Sequence, residues 1–248
     1  MSLLFECRHR YASGFVLDAS FEAGAGVTAL VGPSGSGKTT TLDLIAGLLR
    51  PSFGRIVLDG DVLLDTARGV IVAPEARRIG VVFQEHLLFP HLSVRENLAY
   101  GRRRSAAPTV ELARVVEILE IGPLLDRRPE SLSGGERRRV ALGRAMLRGP
   151  RLLLMDEPLV ALDAELKQRI LAHLEALLEE WNIPTILVSH DRGDVERLAS
   201  CVVALDGGRV TDRVAGDVAG NVAGDVAGDV AGDVAGRIAP LSSVKVSP

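Results

Sequence analysis

The sequence predicts an α/β protein whose parallel-sheet core is interrupted by a helical insertion. Five short apolar runs are typical of strands that are buried on both faces of such a sheet. They lie at 27–31, 79–83, 152–158, 185–190 and 201–208. A glycine-rich loop joins the first run to a helical pattern, whereas residues 86–149 contain helical patterns only. Strand–loop–helix order with a helical interruption indicates this architecture.

Composition indicates a globular protein and argues against several functional classes. The chain has 248 residues, of which 47% are hydrophobic and 25% are charged. A net charge of −3 does not favour nucleic-acid binding, and no apolar run approaches the ~20 residues that span a bilayer. The start of the chain has no long apolar segment, so we expect no secretory signal. Cys7 and Cys201 lack metal-ligand spacing, and we expect both to be packing residues of a cytoplasmic protein.

Helical periodicity predicts where the helices lie. Leu42, Ile45 and Leu49 share one face of a helix that follows the glycine-rich loop and should end at Pro51. Further helices are predicted at 110–122, 135–149 and about 163–180.

The same patterns predict the domain organisation. Residues 55–64 form a hairpin that turns at Asp59-Gly60 and adds an antiparallel β subdomain. The predicted parts are the α/β core with its β subdomain at 1–85 and 150–211, a helical subdomain at 86–149, and a tail at 212–248. In the tail a four-residue unit, mostly DVAG, repeats from 213 to 236. We expect a disordered or loosely extended segment there, the alternative being a repeat that docks on another molecule.

Residues 32–39, GPSGSGKT, match the phosphate-binding pattern G-x-x-x-x-G-K-[ST]. The glycines let backbone N–H groups surround phosphate oxygens, and the following helix adds the positive end of its dipole. Lys38 should neutralise the β- and γ-phosphates, and Thr39 should offer its hydroxyl to Mg²⁺. The pattern predicts a P-loop NTPase (RecA-like) core that binds ATP and Mg²⁺. The predicted nucleotide-binding residues of this loop are Gly32, Pro33, Ser34, Gly35, Ser36, Gly37, Lys38, Thr39 and Thr40.

Two adjacent acids follow the apolar run LLLM at the carboxyl end of a predicted strand. Neighbouring strand residues point to opposite sides, so Asp156 should reach Mg²⁺ while Glu157 faces the attacking water. We therefore expect Asp156 to be a metal ligand and Glu157 to be the general base. The alternative is a solvated turn.

A second glycine-rich stretch, LSGGERRRV at 132–140, lies about a hundred residues after the first. Ser133 and Glu136 fit the capping box S-x-x-E, and the bare N–H groups of Gly134 and Gly135 make another anion site. One nucleotide cannot readily occupy both sites if they belong to separate lobes. This predicts a head-to-tail homodimer in which each copy offers its LSGG helix to the ATP held by the other.

In its ordered motifs the chain resembles the ATP-binding cassette family of transporter ATPases. The motifs are GPSGSGKTT, the glutamine after IGVVF, LSGGERRRV, LLLMDEP, ALD and SH, and they cover roughly residues 1–211. The resemblance implies that Gln84 senses Mg²⁺ and the attacking water, and that Ser133 and Gly135 contact the γ-phosphate held by the other copy. It also implies that Asp163 lies in a loop crossing between subunits, and that His190 holds the γ-phosphate and orients Glu157.

Three positions bear on how far the resemblance extends. The family commonly has serine where Val160 stands, so one hydroxyl between subunits is missing. Glu136 replaces the commoner glutamine and still suits a capping box. Tyr11 and Phe15 both lie near the expected place of the aromatic ring that stacks on adenine, with Tyr11 slightly favoured.

The resemblance also implies membrane partners and a place at the cytoplasmic face of the membrane. Importer ATPases bind two transmembrane permease subunits in a groove beside the glutamine loop, and an extracytoplasmic solute-binding protein acts indirectly. Here Leu87, Leu88, Phe89 and Leu92 should form an apolar docking surface, or else the core of the helical lobe. Residues 50–101 are most similar to molybdate importer ATPases, and sulfate, ferric iron and polyamine importers remain alternatives.

The helical lobe carries a net positive charge. Residues 86–149 hold 12 arginines and no lysine against 7 acids. We expect the runs at 102–104 and 137–139 to be solvated faces, the alternative being proximity to an anionic membrane. Nucleic acid is not expected as a partner, because interleaved aromatics are missing. Alternative functions are a soluble ATPase of this family acting on DNA or ribosomes, and a nucleotide-binding regulator without turnover.

Overall fold

The computed structural model describes residues 2–83, 88–103, 111–160 and 162–215, and within these ranges eleven strands form two sheets. The strands are β1 (Leu3–Arg10), β2 (Val16–Ala23), β3 (Val27–Val31), β4 (Phe53–Leu58), β5 (Asp61–Asp65), β6 (Val70–Ile71), β7 (Ile79–Val82), β8 (Leu152–Asp156), β9 (Thr185–Val188), β10 (Cys201–Asp206) and β11 (Arg209–Ala215). The helices are α1 (Lys38–Ala46), α2 (Val94–Arg103), α3 (Leu112–Ile118), α4 (Gly134–Met146), α5 (Ala164–Glu180) and α6 (Arg192–Leu198). Short 3₁₀ turns lie at Pro74–Ala76, Gly122–Leu124 and Pro129–Ser131.

The larger sheet has the strand order β11-β10-β3-β9-β8-β7. Its strands run parallel except β11, which pairs antiparallel with β10 at one edge. Every residue of β3, β8 and β9 is buried, as their continuous apolar runs predict. Because these strands are parallel, their carboxyl ends meet at one edge of the sheet. The glycine-rich loop and the two acids that follow β8 are therefore brought close together.

The smaller sheet is antiparallel and has the order β2-β1-β4-β5-β6. Its β4–β5 hairpin turns at Asp59 and Gly60, whose φ angles of 51° and 84° suit a tight two-residue turn. The predicted hairpin and antiparallel β subdomain are confirmed. The inner face of this sheet packs on α1, since Phe5, Ile56 and Ile45 belong to one buried cluster.

Helix α1 ends earlier than the sequence predicts. Leu42 and Ile45 are buried as expected, but the last helical residue is Ala46. Gly47 follows with φ 82° and donates its N–H to the carbonyl of Leu44, which completes a left-handed cap. The prediction that Pro51 ends the helix is therefore wrong, because the glycine cap acts first.

The helical insertion has its own apolar contacts. Val115 and Leu119 of the predicted helix are buried together with Leu98 and Val140, whereas Val116 is half-buried at the edge of the cluster. This cluster continues under the larger sheet through Leu153 and other residues, so the insertion packs directly on the core.

The arginine run at 137–139 differs from its prediction. Arg138 and Arg139 are buried rather than solvated, while Arg137 is half-buried. The guanidinium of Arg139 donates to the carbonyls of Leu119 (2.9 Å) and Glu120 (3.1 Å), just after α3. That of Arg138 donates to the carbonyl of Val160. These side chains join α4 to two neighbouring segments, and the prediction of a solvated face is wrong for both. The side chains of 102–104 lie outside the described residues.

Both cysteines are free and buried, in β1 and β10. Burial raises the pKa of the Cys7 thiol to about 12. Such a thiol stays protonated at neutral pH and behaves as a small apolar group, as predicted for a packing residue.

The carboxyl-terminal strand β11 runs from Arg209 to Ala215 and pairs along β10. The boundary predicted at residue 211 falls inside this strand, and the first repeat unit begins within it. The rest of the repeat, from residue 216, lies outside the described residues. In the described part of the chain, no helix is both long and apolar enough to cross a bilayer.

Candidate functional site

An open cleft of about 510 Å³ lies at the carboxyl edge of the larger sheet. Six of the nine predicted loop residues line it. These are Ser34, Gly35, Gly37, Lys38, Thr39 and Thr40. Asp156, Glu157 and His190 line the same cleft, so the fold brings together the loop and the acidic and imidazole groups that the sequence predicts for one site.

The remaining loop residues, Gly32, Pro33 and Ser36, do not line the cleft but contribute to the conformation of the loop. The carbonyls of Gly32 and Pro33 each accept a hydrogen bond from Lys38 Nζ at 2.8 Å, and the side chain of Ser36 is buried. Gly32 has φ 142°, and a Cβ there would lie 1.9 Å from the carbonyl oxygen of Leu205 in β10. Only glycine fits at this position, because the loop passes directly against a neighbouring strand.

The electrostatics of the loop centre on Lys38. Burial lowers the pKa of its ammonium, and the nearby carboxylates of Asp156 and Glu157 oppose that shift. The cation faces an open cleft at the start of α1, where the helix dipole is also positive. Phosphate oxygens are the natural ligands for such a combination.

Thr39 and Asp156 form the pair of oxygen donors expected for Mg²⁺. The hydroxyl of Thr39 donates to Asp156 Oδ2 at 3.0 Å. Burial raises the pKa of Asp156, and the charge of Glu157 adds to that shift. The described residues contain no group of three or more His, Cys, Asp or Glu side chains that could hold a metal. One carboxylate and one hydroxyl nevertheless fit Mg²⁺ bound to a nucleotide, because this ion takes most of its ligands from phosphate and water.

Glu157 and His190 form the second pair. His190 Nε2 lies 2.8 Å from Glu157 Oε1, and the two side chains are 54% and 16% exposed respectively. A half-buried carboxylate held by an imidazole at the wall of a cleft is suited to accept a proton from water.

The two adjacent acids are not arranged by the strand alternation that the sequence predicts. Strand β8 ends at Asp156, and Glu157 has a left-handed backbone with φ 50°, so strand alternation does not separate the two side chains. Both acids line the same cleft. The N–H of Glu157 donates to the carbonyl of Val188 at 2.9 Å, which anchors this uncommon conformation.

Both candidate aromatic residues line the cleft. The rings of Tyr11 and Phe15 have centroids 6.2 Å apart, and the hydroxyls of Tyr11 and Thr40 share a hydrogen bond of 3.1 Å. This contact ties Tyr11 to the first turn of α1. The preference for Tyr11 as the adenine contact stays a prediction.

The LSGG residues lie elsewhere. Ser133 Oγ accepts from the N–H of Glu136 at 3.2 Å, and Glu136 Oε2 accepts from the N–H of Ser133 at 2.7 Å. The predicted capping box is therefore present. Among the residues that line the nucleotide cleft, Ser133, Gly134 and Gly135 do not appear. Within one chain, the two glycine-rich sites are thus separate.

Three further predicted residues lie outside the cleft or outside the described part of the chain. Asp163 caps α5, because its Oδ1 accepts from the N–H of Leu166 at 2.9 Å. Gln84 lies outside the described residues, and so does Leu87.

A second cavity of about 330 Å³ lies between the core and the helical insertion. Its walls include Leu48, Phe89, Tyr100, Glu75, Arg144 and Arg148. Phe89 contacts Tyr100, with ring centroids 4.5 Å apart. The guanidinium of Arg144 lies 5.0 Å from the centre of the Phe89 ring. Leu88 instead packs against the apolar cluster of the insertion. The alternative of a lobe core thus fits Leu88, whereas the docking role of Phe89 and Leu92 stays a prediction.

Sequence reasoning missed Asn97, which holds the backbone of the segment that contains Phe89, a residue of this cavity. Its side chain is fully buried, donates to the carbonyls of Phe89, Leu92 and Ser93, and accepts from the N–H of Phe89 at 2.9 Å. An asparagine among the apolar positions of an amphipathic helix was the available signal.

The fold and the cleft define a P-loop nucleotide-binding protein. A family model described as ABC transporter matches residues 17–160, and the chain belongs to that family. It is similar to the Molybdenum import ATP-binding protein ModC of Rhizobium meliloti (strain 1021), with 56% identity over 212 residues, 85% of this chain and 59% of that protein. The corresponding protein of Paramagnetospirillum magneticum (strain ATCC 700264 / AMB-1) is 54% identical over 79% of this chain and 54% of its own length. The chain thus spans less than two thirds of these relatives.

Solved structures agree with this assignment. The dimeric post-hydrolysis structure of the ATP-binding cassette MJ0796 bound to ADP and Pi has a TM-score of 0.71 and 28% identity, covering 87% of this chain and 98% of that one. A bacterial Atm1-family ABC exporter with ATP bound has a TM-score of 0.75 and 28% identity, covering 91% of this chain and 40% of that one. The predicted P-loop fold with an antiparallel β subdomain is confirmed.

Proposed function

We propose that this chain is the ATP-hydrolysing subunit of an ABC importer. The observation that carries the proposal is the convergence of two pairs, Thr39–Asp156 and Glu157–His190, on one cleft built around the phosphate loop. The loop with Lys38 binds the phosphates, and Thr39 and Asp156 hold Mg²⁺, with Gln84 expected as its further ligand. When bound, Mg²⁺ neutralises charge on the β- and γ-phosphates.

Hydrolysis follows from the second pair. Glu157 Oε1 accepts a proton from a water molecule as the water oxygen attacks the γ-phosphorus, and the bond to the β–γ bridging oxygen breaks to leave ADP and phosphate. His190 orients Glu157 through their 2.8 Å contact and faces the γ-phosphate. General-base catalysis of this kind typically contributes about 10²–10⁴-fold to the rate.

A head-to-tail homodimer completes each site. In a single chain Ser133, Gly134 and Gly135 lie away from the nucleotide cleft, so the N–H groups of the two glycines and the hydroxyl of Ser133 are available to an ATP held by a second copy. Asp163, at the start of α5, lies in the connection between Glu157 and that helix and would face the second copy. Dimeric MJ0796, a protein of the same fold, supports this arrangement.

Membrane partners are proposed from the second cavity and from the relatives. Leu48, Phe89 and Tyr100 offer an apolar floor, and Arg144 and Arg148 offer positive charge, to helices of two transmembrane permease subunits. The chain would then act at the cytoplasmic face of the membrane. The names of the relatives favour molybdate, delivered by an extracytoplasmic solute-binding protein, as the transported solute.

The test uses Glu157→Gln in the full chain. Phosphate release at saturating Mg²⁺ and ATP should fall at least ~10²-fold, and the variant should accumulate as an ATP-bound dimer on size-exclusion chromatography. Membranes solubilised gently from cells expressing this variant should yield a polytopic protein in equal copy number. Near-normal turnover would remove Glu157 from its role, and recovery of soluble partners or nucleic acid alone would contradict the importer assignment.

A further inference from the structure

A charged cluster lies directly behind His190. Lys167 of α5 places its Nζ 2.6 Å from Asp191 Oδ2 and 2.7 Å from Asp194 Oδ1. The side chains of Lys167 and Asp194 are only 15% and 6% exposed. The Lys167–Asp194 pair is therefore not a surface ion pair of the weak, solvent-screened kind, whereas Asp191 is 52% exposed. Losing one member would leave a charge buried without its counterion.

The cluster fixes the backbone on both sides of His190. Ser189 Oγ donates to Asp194 Oδ2 at 3.1 Å and accepts from the N–H of Asp191 at 3.1 Å. Asp191 Oδ1 in turn accepts from the N–H of Gly193 at 2.8 Å and so caps α6. The imidazole of His190 thus extends into the cleft from a segment held at both of its neighbours.

Lys167 also links this segment to the start of α5. Its N–H donates to the carbonyl of Asp163 at 2.9 Å, one helical turn earlier. Asp163 ends the connection that begins at Glu157. The side chain of Lys167 therefore anchors the segment around His190 to the first turn of α5, the helix that follows this connection.

The positive charge of Lys167 is stable at neutral pH. Burial alone would lower the pKa of Lys167, but its hydrogen bonds to Asp191 and Asp194 outweigh burial and hold the pKa above its ordinary value. Burial raises the pKa of Asp194, and Lys167 opposes that shift. The ammonium is accordingly a permanent cation between two carboxyl groups.

We propose that Lys167 is a positioning residue for ATP hydrolysis, which holds the segment around His190 so that its Nε2 meets Glu157. The inference rests on the proposed function, because it concerns the same reaction. Lys167 does not line the nucleotide cleft. Its loss should therefore affect turnover and leave ATP affinity unchanged.

The first experiment compares three variants of the purified full chain. Lys167→Met should lower kcat about tenfold with an unchanged Kd for ATP, since small displacements of catalytic groups cost this much or more. Lys167→Arg keeps the charge and should recover most of the rate. The matched control is Arg197→Met, because Arg197 also joins α6 to α5, through Glu175 at 3.0 Å, but lies outside the cluster. This control should keep the rate of the unchanged chain.

The second experiment is a double-mutant cycle with His190→Ala. If Lys167 acts through His190, then Lys167→Met should produce no further loss of rate in the His190→Ala background. Should Lys167→Met fail to fold, the same cycle is run with Asp194→Asn, which keeps the shape of the cluster.

The outcomes separate the two proposals. Equal losses from Lys167→Met in both backgrounds, or an equal loss from Arg197→Met, would overturn the positioning role. So would normal turnover of Lys167→Met beside an inactive His190→Ala. An unchanged chain that releases no phosphate from Mg²⁺ and ATP would instead contradict the proposed function.

Discussion

The hydroxyl of Thr39 donates a hydrogen bond to Asp156, and the 3.0 Å between Oγ1 and Oδ2 joins the first turn of α1 to the end of β8. The raised pKa of Asp156, caused mainly by burial, means that the folded chain binds this proton more tightly than the unfolded chain does. Stability is therefore lost as pH rises from the unfolded to the folded pKa, and the ionised group is unfavourable at pH 7.

We therefore expect Asp156→Asn to raise Tm at pH 7 in EDTA, because the amide retains an acceptor for Thr39 without the buried charge. The same change should weaken binding of ATP in Mg²⁺ about tenfold or more, since a charged ligand is lost. Differential scanning fluorimetry and calorimetric titration measure the two effects. A lower Tm in EDTA would show that the charge supports the fold.

Alanine substitution separates Tyr11 from Phe15 as the adenine contact. Tyr11→Ala should weaken ATP binding about 5- to 150-fold, because base–aromatic stacking contributes about 1–3 kcal/mol. Phe15→Ala should have a smaller effect. Tyr11→Phe keeps the ring and removes the hydrogen bond to Thr40, so it serves as the control. The reverse order of affinities would assign the contact to Phe15.

Ser133→Ala should act on stability and on dimerisation by different routes. Loss of the capping box should lower the free energy of unfolding by about 1 kcal/mol in urea titrations. ATP affinity of the single chain should be unchanged, because Ser133 does not line its own cleft. In the Glu157→Gln background the ATP-bound dimer should be lost. Persistence of that dimer would argue against a contact between Ser133 and the second nucleotide.

Substitution tests whether the buried guanidinium of Arg139 stabilises the fold. Arg139→Met leaves the carbonyls of Leu119 and Glu120 without their donor, which should cost about 2 kcal/mol of unfolding free energy. Arg137 lies two positions earlier in α4 and is half-buried. Arg137→Met should change the free energy of unfolding by less than about 0.5 kcal/mol. Equal effects in urea denaturation would mean that Arg139 contributes no more than the half-buried Arg137.

Truncation distinguishes the last strand from the repeat. Removing residues 217–248 should leave Tm and phosphate release unchanged, because a low-complexity segment contributes little to a core. Removing residues 209–248 also deletes β11 and exposes the edge of β10, so Tm should fall. An unstable shorter truncation would show that the repeat has a structural role.

The sequence predicts the parts of the fold that local pattern determines. Continuous apolar runs identified β3, β8 and β9, and the pair Asp59-Gly60 identified the β4–β5 hairpin, because burial on both faces and left-handed turns each restrict residue choice. The phosphate loop and the capping box at Ser133 are also predictable, because each depends on particular residue types at short, fixed spacing.

Contacts between distant segments were not predictable in this way. From the sequence, Arg139 is expected at the surface. Only the fold brings it to the carbonyls of Leu119 and Glu120, just after α3. Lys167 gave no signal, since its carboxylate partners lie about 25 positions later and meet it only through the packing of α5 on α6. Glu157 was assigned its chemistry for an incorrect geometric reason, because a left-handed backbone after a strand leaves no trace in residue type.

That left-handed backbone has a cost for the folded chain. A side chain at φ 50° costs of the order of 1–2 kcal/mol compared with glycine, so residue 157 opposes the stability of its own fold. Glycine would adopt the same conformation with less strain and would stabilise the chain, but it would bring no carboxylate to the cleft. The strain at residue 157 therefore indicates a position that serves the site rather than the stability of the fold.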